Sequence, residues 1–153
     1  ISGIVFGANH ADGRLDEEVL RRLSDVVDSM PRTLHRAFDL VPDLSQAVDI
    51  AVSCGFERIL TSGRAPSVIE GLPDLKATLD IAGDRISIMP GAGVNLQTIN
   101  ALLDHVTIKE VHSSCSSSAA VEKPAITASG FSDTHIKRTD IDIVRAMKAR
   151  LAN

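Results

Sequence analysis

Two histidines, His35 and His112, are the first residues to weigh as chemistry. An imidazole titrates near neutral pH and ligates metals, so each is a candidate acid–base group or metal ligand. The structural alternative is a core histidine hydrogen-bonded to Glu110, Ser or Thr. Arg36 and Asp39 follow His35 in the run His35-Arg36-Ala37-Phe38-Asp39. They can bind and position an anion, or neutralise each other as an internal ion pair. Gly91-Ala92-Gly93 before a helix can cradle phosphate on backbone N–H groups, or be a tight turn. Thr61-Ser62-Gly63 and His112-Ser113-Ser114 add hydroxyls and a flexible backbone. Soft sulfur ligands select Cu(I). Here Cys115, with Met89 and the histidines, is the source of such donors. Cys54, just before Gly55, reads as a small buried hydrophobe.

These residues need elements to hold them. A short apolar strand followed by an amphipathic helix recurs five times. The expected strands are 3–7, 33–37, 58–61, 85–89 and 109–112. The expected helices are Asp16 to Ser29, Leu44 to Cys54 behind an N-cap at Asp43, Leu72 to Ala82 before Gly83, Asn95 to about His105, and a last helix from about Asp140 to the end. Val19, Leu20, Leu23, Val26 and Val27 make the apolar stripe of the first. Strand–helix alternation implies a parallel sheet, because parallel strands need crossovers. Residues 113–138 lack periodicity and read as a long Ser-rich loop.

The chemically active residues fall after the strands, where α/β folds build their sites. Strand parity puts Thr33, His35, Ser87, Met89, Glu110 and His112 on one face and Leu34, Ile86, Ile88 and Val111 on the other. A doubly wound sheet would have apolar residues on both faces. The mixed polarity therefore favours a TIM (β/α)8 barrel with its polar face inward. Each unit takes about 31 residues, so a barrel of about 250 residues needs eight. The reading is an α/β chain, residues 1–153, that supplies about five of the eight units.

Composition narrows the function classes. The chain has 153 residues, is 44% hydrophobic, and carries 16 basic against 20 acidic residues. No basic run and no Trp or Tyr exists to grip or stack nucleic acid. No apolar stretch approaches the roughly 20 residues of a membrane span. Two cysteines make neither a disulfide framework nor a zinc spacing. Ile1-Ser2-Gly3-Ile4-Val5-Phe6 reads as the inside of a strand, not as a secretory leader.

The runs Gly3-Ile4-Val5-Phe6-Gly7, Asp12-Gly13-Arg14-Leu15-Asp16, His35-Arg36-Ala37-Phe38-Asp39, Leu60-Thr61-Ser62-Gly63, Glu70-Gly71-Leu72, Met89-Pro90-Gly91-Ala92-Gly93-Val94 and Glu110-Val111-His112-Ser113 occur in order. Together they resemble the CutC copper-homeostasis family. The resemblance implies a cytoplasmic or nuclear TIM-barrel protein, a homo-oligomer that handles the copper ion as Cu(I). It aligns the chain with the C-terminal part of that barrel, from the fourth strand onward. The cysteines behind a proposed copper site in animal members lie upstream of the match. The expected binding residues at the barrel mouth are His35, Arg36, Asp39, Thr61, Ser62, Gly63, Gly91, Gly93, His112 and Ser113. The expected copper ligands are His35, His112 and Cys115. The competing reading is a barrel enzyme acting on a small phosphorylated or carboxylated substrate, with Arg36 or the Gly91 turn holding the anion. No nucleophile motif, dinucleotide fingerprint or P-loop supports a particular reaction.

Overall fold

A computed structural model describes residues 1–27 and 29–152. The expected first helix crosses Asp28 and the expected last helix reaches Asn153; both positions lie outside the described residues. The chain divides into two compact units, one formed by residues 1–94 and 101–113, the other by 95–100 and 114 onward.

In the first unit four strands alternate with helices: β1 (Ile4–Phe6), α1 (Glu17–Val27), β2 (Arg32–Leu34), α2 (Leu44–Ser53), β3 (Arg58–Thr61), α3 (Leu72–Ala82) and β4 (Ser87–Pro90). The sheet is parallel, in the order β1-β2-β3-β4. The helices start and stop where side-chain chemistry dictates. The Asp16 carboxylate accepts from Val19 N at 3.0 Å, and Asp43 accepts from Gln46 N at 3.0 Å. Gly55 ends α2 at φ 74°, a left-handed conformation open to glycine. The buried stripe of α1 is narrower than its apolar residues suggest. It consists of Leu20, Ser24 and Val27, while Leu23 and Val26 are exposed. Ser24 is accommodated because its hydroxyl donates to the Cys54 carbonyl at 2.9 Å.

The strand order never reverses. Right-handed crossovers then place α1, α2 and α3 on the same face of the sheet. Leu34, Ile59 and Ile88 pair in register and are buried. The register Val5–Thr33–Arg58–Ser87 defines the opposite face. Val5 there is 60% exposed.

Three expectations change after β4. Residues 109–112 form no strand; a single backbone bond, from His112 N to Pro90 O at 2.8 Å, holds this segment beside β4. The fourth helix is short, α4 (Ile99–Leu103). Segment 113–138 is not a loop throughout. It holds β5 (Ser116–Ala120), α5 (Pro124–Ala128) and most of β6 (His135–Thr139). β5 and β6 pair antiparallel, with Ser116 opposite Thr139 and Ala120 opposite His135, so the sheets are not all parallel. Polar Ser and Thr with Lys137 and Arg138 give this hairpin no hydrophobic alternation, which is why periodicity missed it. α6 (Ile141–Leu151) follows, starting beside Asp140 as expected; the Asp140 carboxylate caps it.

Candidate functional site

The strand-end motifs converge on Asp39. It sits in a 3-10 turn, Arg36–Leu40, held down by the fully buried Phe38. Its carboxylate accepts from Thr61 Oγ1 at 2.5 Å, Ser62 N at 3.1 Å, Arg64 N at 3.1 Å and Arg36 Nε at 2.6 Å. Thr61 Oγ1 in turn accepts from Gly63 N at 2.9 Å. The Ser62 hydroxyl accepts from Arg36 Nη2 at 2.6 Å; its one proton goes to Asp39 Oδ2 at 3.0 Å or Ala65 O at 2.5 Å. Burial pushes the Asp39 carboxyl up, but hydrogen bonds from Thr61, Arg36 and the amides of Arg64 and Ser62 outweigh it. The group titrates below its ordinary 3.8. Of the two sequence readings, Arg36 and Asp39 are the internal ion pair. The anion that Arg36 binds is this protein's own carboxylate.

The same loop explains Gly63. At φ 71° it is left-handed, and an added Cβ would overlap the Gly71 carbonyl oxygen. Arg64, next along, holds a left-handed φ of 58° without that freedom, and its backbone N–H donates a hydrogen bond to Asp39 Oδ1. The Gly91-Ala92-Gly93 run is a tight turn. Gly91 N donates to Thr61 O at 2.9 Å, and Ala92 O accepts from Val68 N at 2.9 Å. A Cβ on Gly91 would come within 2.6 Å of Leu60 Cδ1. Ala92 and Gly93 are both left-handed, at φ 65° and 84°. Ser113 Oγ donates to Val94 O at 2.7 Å and closes this turn against the 112–113 segment.

The histidines stand apart. His35 Nδ1 accepts from Ala37 N at 3.1 Å, capping the 3-10 turn, which puts the ring proton on Nε2. Its ring lies over Gly7, where a Cβ would come within 2.6 Å. His112 is exposed and lies over Gly91. From β2 to the segment beyond β4 is three strand spacings, on the order of 14 Å along the edge.

Sequence reading missed Arg58. On the open face it donates through Nε to Glu110 Oε1 at 2.7 Å and through Nη1 to Thr33 Oγ1 at 3.3 Å. Ser87 Oγ also donates to Glu110 Oε1, at 2.5 Å. Burial raises the Glu110 carboxyl, and the bonds from Arg58 and Ser87 more than reverse that. The signal was present: Thr33, Arg58 and Ser87 occupy equivalent strand positions, a polar rung whose cation demands a carboxylate. The face expected for Thr33, Ser87 and Glu110 is the one they share.

The fit to copper follows from the donors. His35 can ligate through Nε2 only by moving its proton to Nδ1, which surrenders the Ala37 cap. Cys115 belongs to the second unit, at a left-handed φ of 43°. Among the described residues no group of three or more His, Cys, Asp or Glu side chains is placed to hold a metal ion. The three expected ligands therefore do not form one centre. No described helix is long and apolar enough to cross a membrane.

Comparison with known proteins adds the ancestry. A CutC protein of Rhizobium meliloti is 48% identical over 151 residues, covering 99% of this chain and 62% of that protein. The mouse protein described as a copper homeostasis protein cutC homolog is 38% identical over 154 residues, covering 96% and 57%. The crystal structure of a CutC protein from Streptococcus agalactiae superposes with a TM-score of 0.68 at 30% identity, covering 72% of this chain and 55% of that one. The chain thus spans about three fifths of the relatives it matches. The CutC family model matches residues 1–117, and with these relatives it establishes that the chain belongs to the CutC family.

Proposed function

We propose that the protein serves copper homeostasis in the cytoplasm, with Cu(I) as cargo taken at the strand-end mouth and His112 as its principal donor there. The observation that carries this is the exposed imidazole of His112, brought beside β4 by the 2.8 Å bond from its amide to Pro90 O. Parallel pairing through that bond sets His112 opposite Gly91, on the same face as Met89. A soft thioether and a borderline imidazole on one face are donors that copper accepts together. The names of the mammalian relatives, copper homeostasis proteins, support the same reading. The sheet's unreversed order and its polar open face support a (β/α)8 barrel, to which this chain contributes four parallel strands, in a homo-oligomer.

The enzyme reading gains no support from this geometry. Arg36, the cation it needs, is neutralised by Asp39, and the Gly91 turn is committed to Thr61 and Val68.

Anaerobic Cu(I) titration against a chromophoric chelator tests the proposal. His112→Ala and Met89→Leu are expected to weaken binding about tenfold or more, the loss of one ligand, while His35→Ala stays within about threefold. A wild-type chain that cannot compete with the chelator, or a His112→Ala variant that competes equally well, overturns it.

A further inference from the structure

The chain leaves the first unit after Val94 and again after Ser113. One hydrogen bond joins these two exits: Ser113 Oγ donates to Val94 O at 2.7 Å. Ser113, read from sequence as a binding residue of the mouth, thus turns its hydroxyl proton onto the backbone. Its neighbour is His112, whose amide bonds Pro90 O at 2.8 Å. A parallel ladder would continue from that bond with residue 90 N–H donating to Glu110 O, but proline has no N–H. The ladder breaks there, and 109–112 form no strand. Glu110 is tied to Arg58 and Ser87 through its side chain, and the rotatable bonds of that side chain carry little order to its backbone. One backbone bond alone is a pivot. A second bond, made one residue further on, removes the rotation.

We propose that Ser113 is a positioning residue for Cu(I), its clasp on Val94 O holding the His112 imidazole over Gly91 and on the face of Met89. Three observations select this role. The ring rests on Gly91: a Cβ there would stand 3.4 Å from His112 Cβ and 3.6 Å from Cδ2, so the place of the ring follows from where the 112–113 backbone is held. Val94 O is itself well anchored. It follows Ala92 and Gly93, left-handed at φ 65° and 84°, in the turn closed by the 2.9 Å bond from Val68 N to Ala92 O. Finally, Ser113 is half-buried beside the exposed His112, and a hard hydroxyl is not a donor that Cu(I) selects. Ser113 therefore acts through the imidazole and touches no metal. Preorganisation of this kind raises affinity, because the donor is ordered on folding rather than on binding. The inference rests on the copper reading of His112 and goes beyond it by naming what sets that donor's place.

Anaerobic Cu(I) titration against a chromophoric chelator, with amide exchange on the metal-free full chain, tests it. Ser113→Ala is expected to weaken Cu(I) binding about tenfold, as loss of a partner that orients a ligand does. Ser113→Thr keeps the hydroxyl and is expected to stay within about threefold of wild type. In a His112→Ala background, Ser113→Ala is expected to cause no further loss, because its effect passes through the imidazole. Without metal, exchange at the His112 amide is expected to quicken about tenfold or more in Ser113→Ala, while β2 and β3 keep their protection. A Ser113→Ala variant that binds Cu(I) like wild type, an equal loss in the His112→Ala background, or an unaltered His112 amide overturns the role of Ser113 and leaves the copper reading standing. A wild-type chain that binds no Cu(I) overturns both.

Discussion

Asp39 gathers its donors from two loops, and its charge is what makes them converge. Asp39→Asn keeps the shape, removes the charge beside Arg36, and turns an amide N–H donor toward groups that are themselves donors. The expected cost is about 2 kcal/mol in chemical denaturation, because the Asp39 carboxylate is 7% exposed while Arg36, at 42%, is partly screened by water. The folded carboxyl titrates below its ordinary 3.8. Its contribution is therefore complete above that value and fades as pH falls through the lowered folded value. The wild-type stability curve should drop on the acid side more steeply than that of Asp39→Asn; parallel curves would remove Asp39 from the account. Ala92, at φ 65°, gives a prediction of opposite sign. Ala92→Gly relieves a left-handed alanine and should raise stability by under about 1 kcal/mol, the left-handed cost less the entropy of glycine. The sequence made Arg36, Asp39, Thr61 and Ser62 stand out, and they do converge. Their meaning was not legible, because a carboxylate that grips its own chain and one that grips a ligand use the same residue types.

The strand and helix segments of the first unit follow their sequence closely up to β4. Asp43, Gly55 and Gly83 mark helix ends where capping chemistry says they should. The Thr33–Arg58–Ser87 rung with Glu110 is the element-scale surprise, since it spreads over three strands and the 107–115 segment. Arg58 and Glu110 are 31% and 28% exposed, so solvent weakens the pair. A double-mutant cycle of Arg58→Ala and Glu110→Ala should give a coupling of about 1 kcal/mol. A coupling near zero would make the rung a packing feature rather than an electrostatic one. Glu110 also titrates below its ordinary 4.5. Its share of stability is lost on the same acid side as that of Asp39.

At the scale of the molecule the two units differ in how much they bury. Residues 114–152 contain one buried side chain, Met147, whereas β2 and β3 are lined by fully buried Leu34, Ile59 and Thr61. Amide exchange should therefore be slowest in β2 and β3 and orders of magnitude faster through α5 and β6, since protection follows burial. Equal protection throughout would show the second unit to be as cooperative as the first. The sequence by itself determined the parallel four-stranded part, because apolar spacing and capping residues act over a few positions. It also determined the family, because those motifs lie at strand ends whose order the chain preserves. Only the tertiary structure decided that Arg36 answers Asp39, that Arg58 answers Glu110 and that 113–138 folds back as a hairpin. Those outcomes join residues 3 to 52 positions apart, or rest on pairing of polar strands without alternation. The energy of such contacts depends on which groups meet, and sequence spacing does not record that.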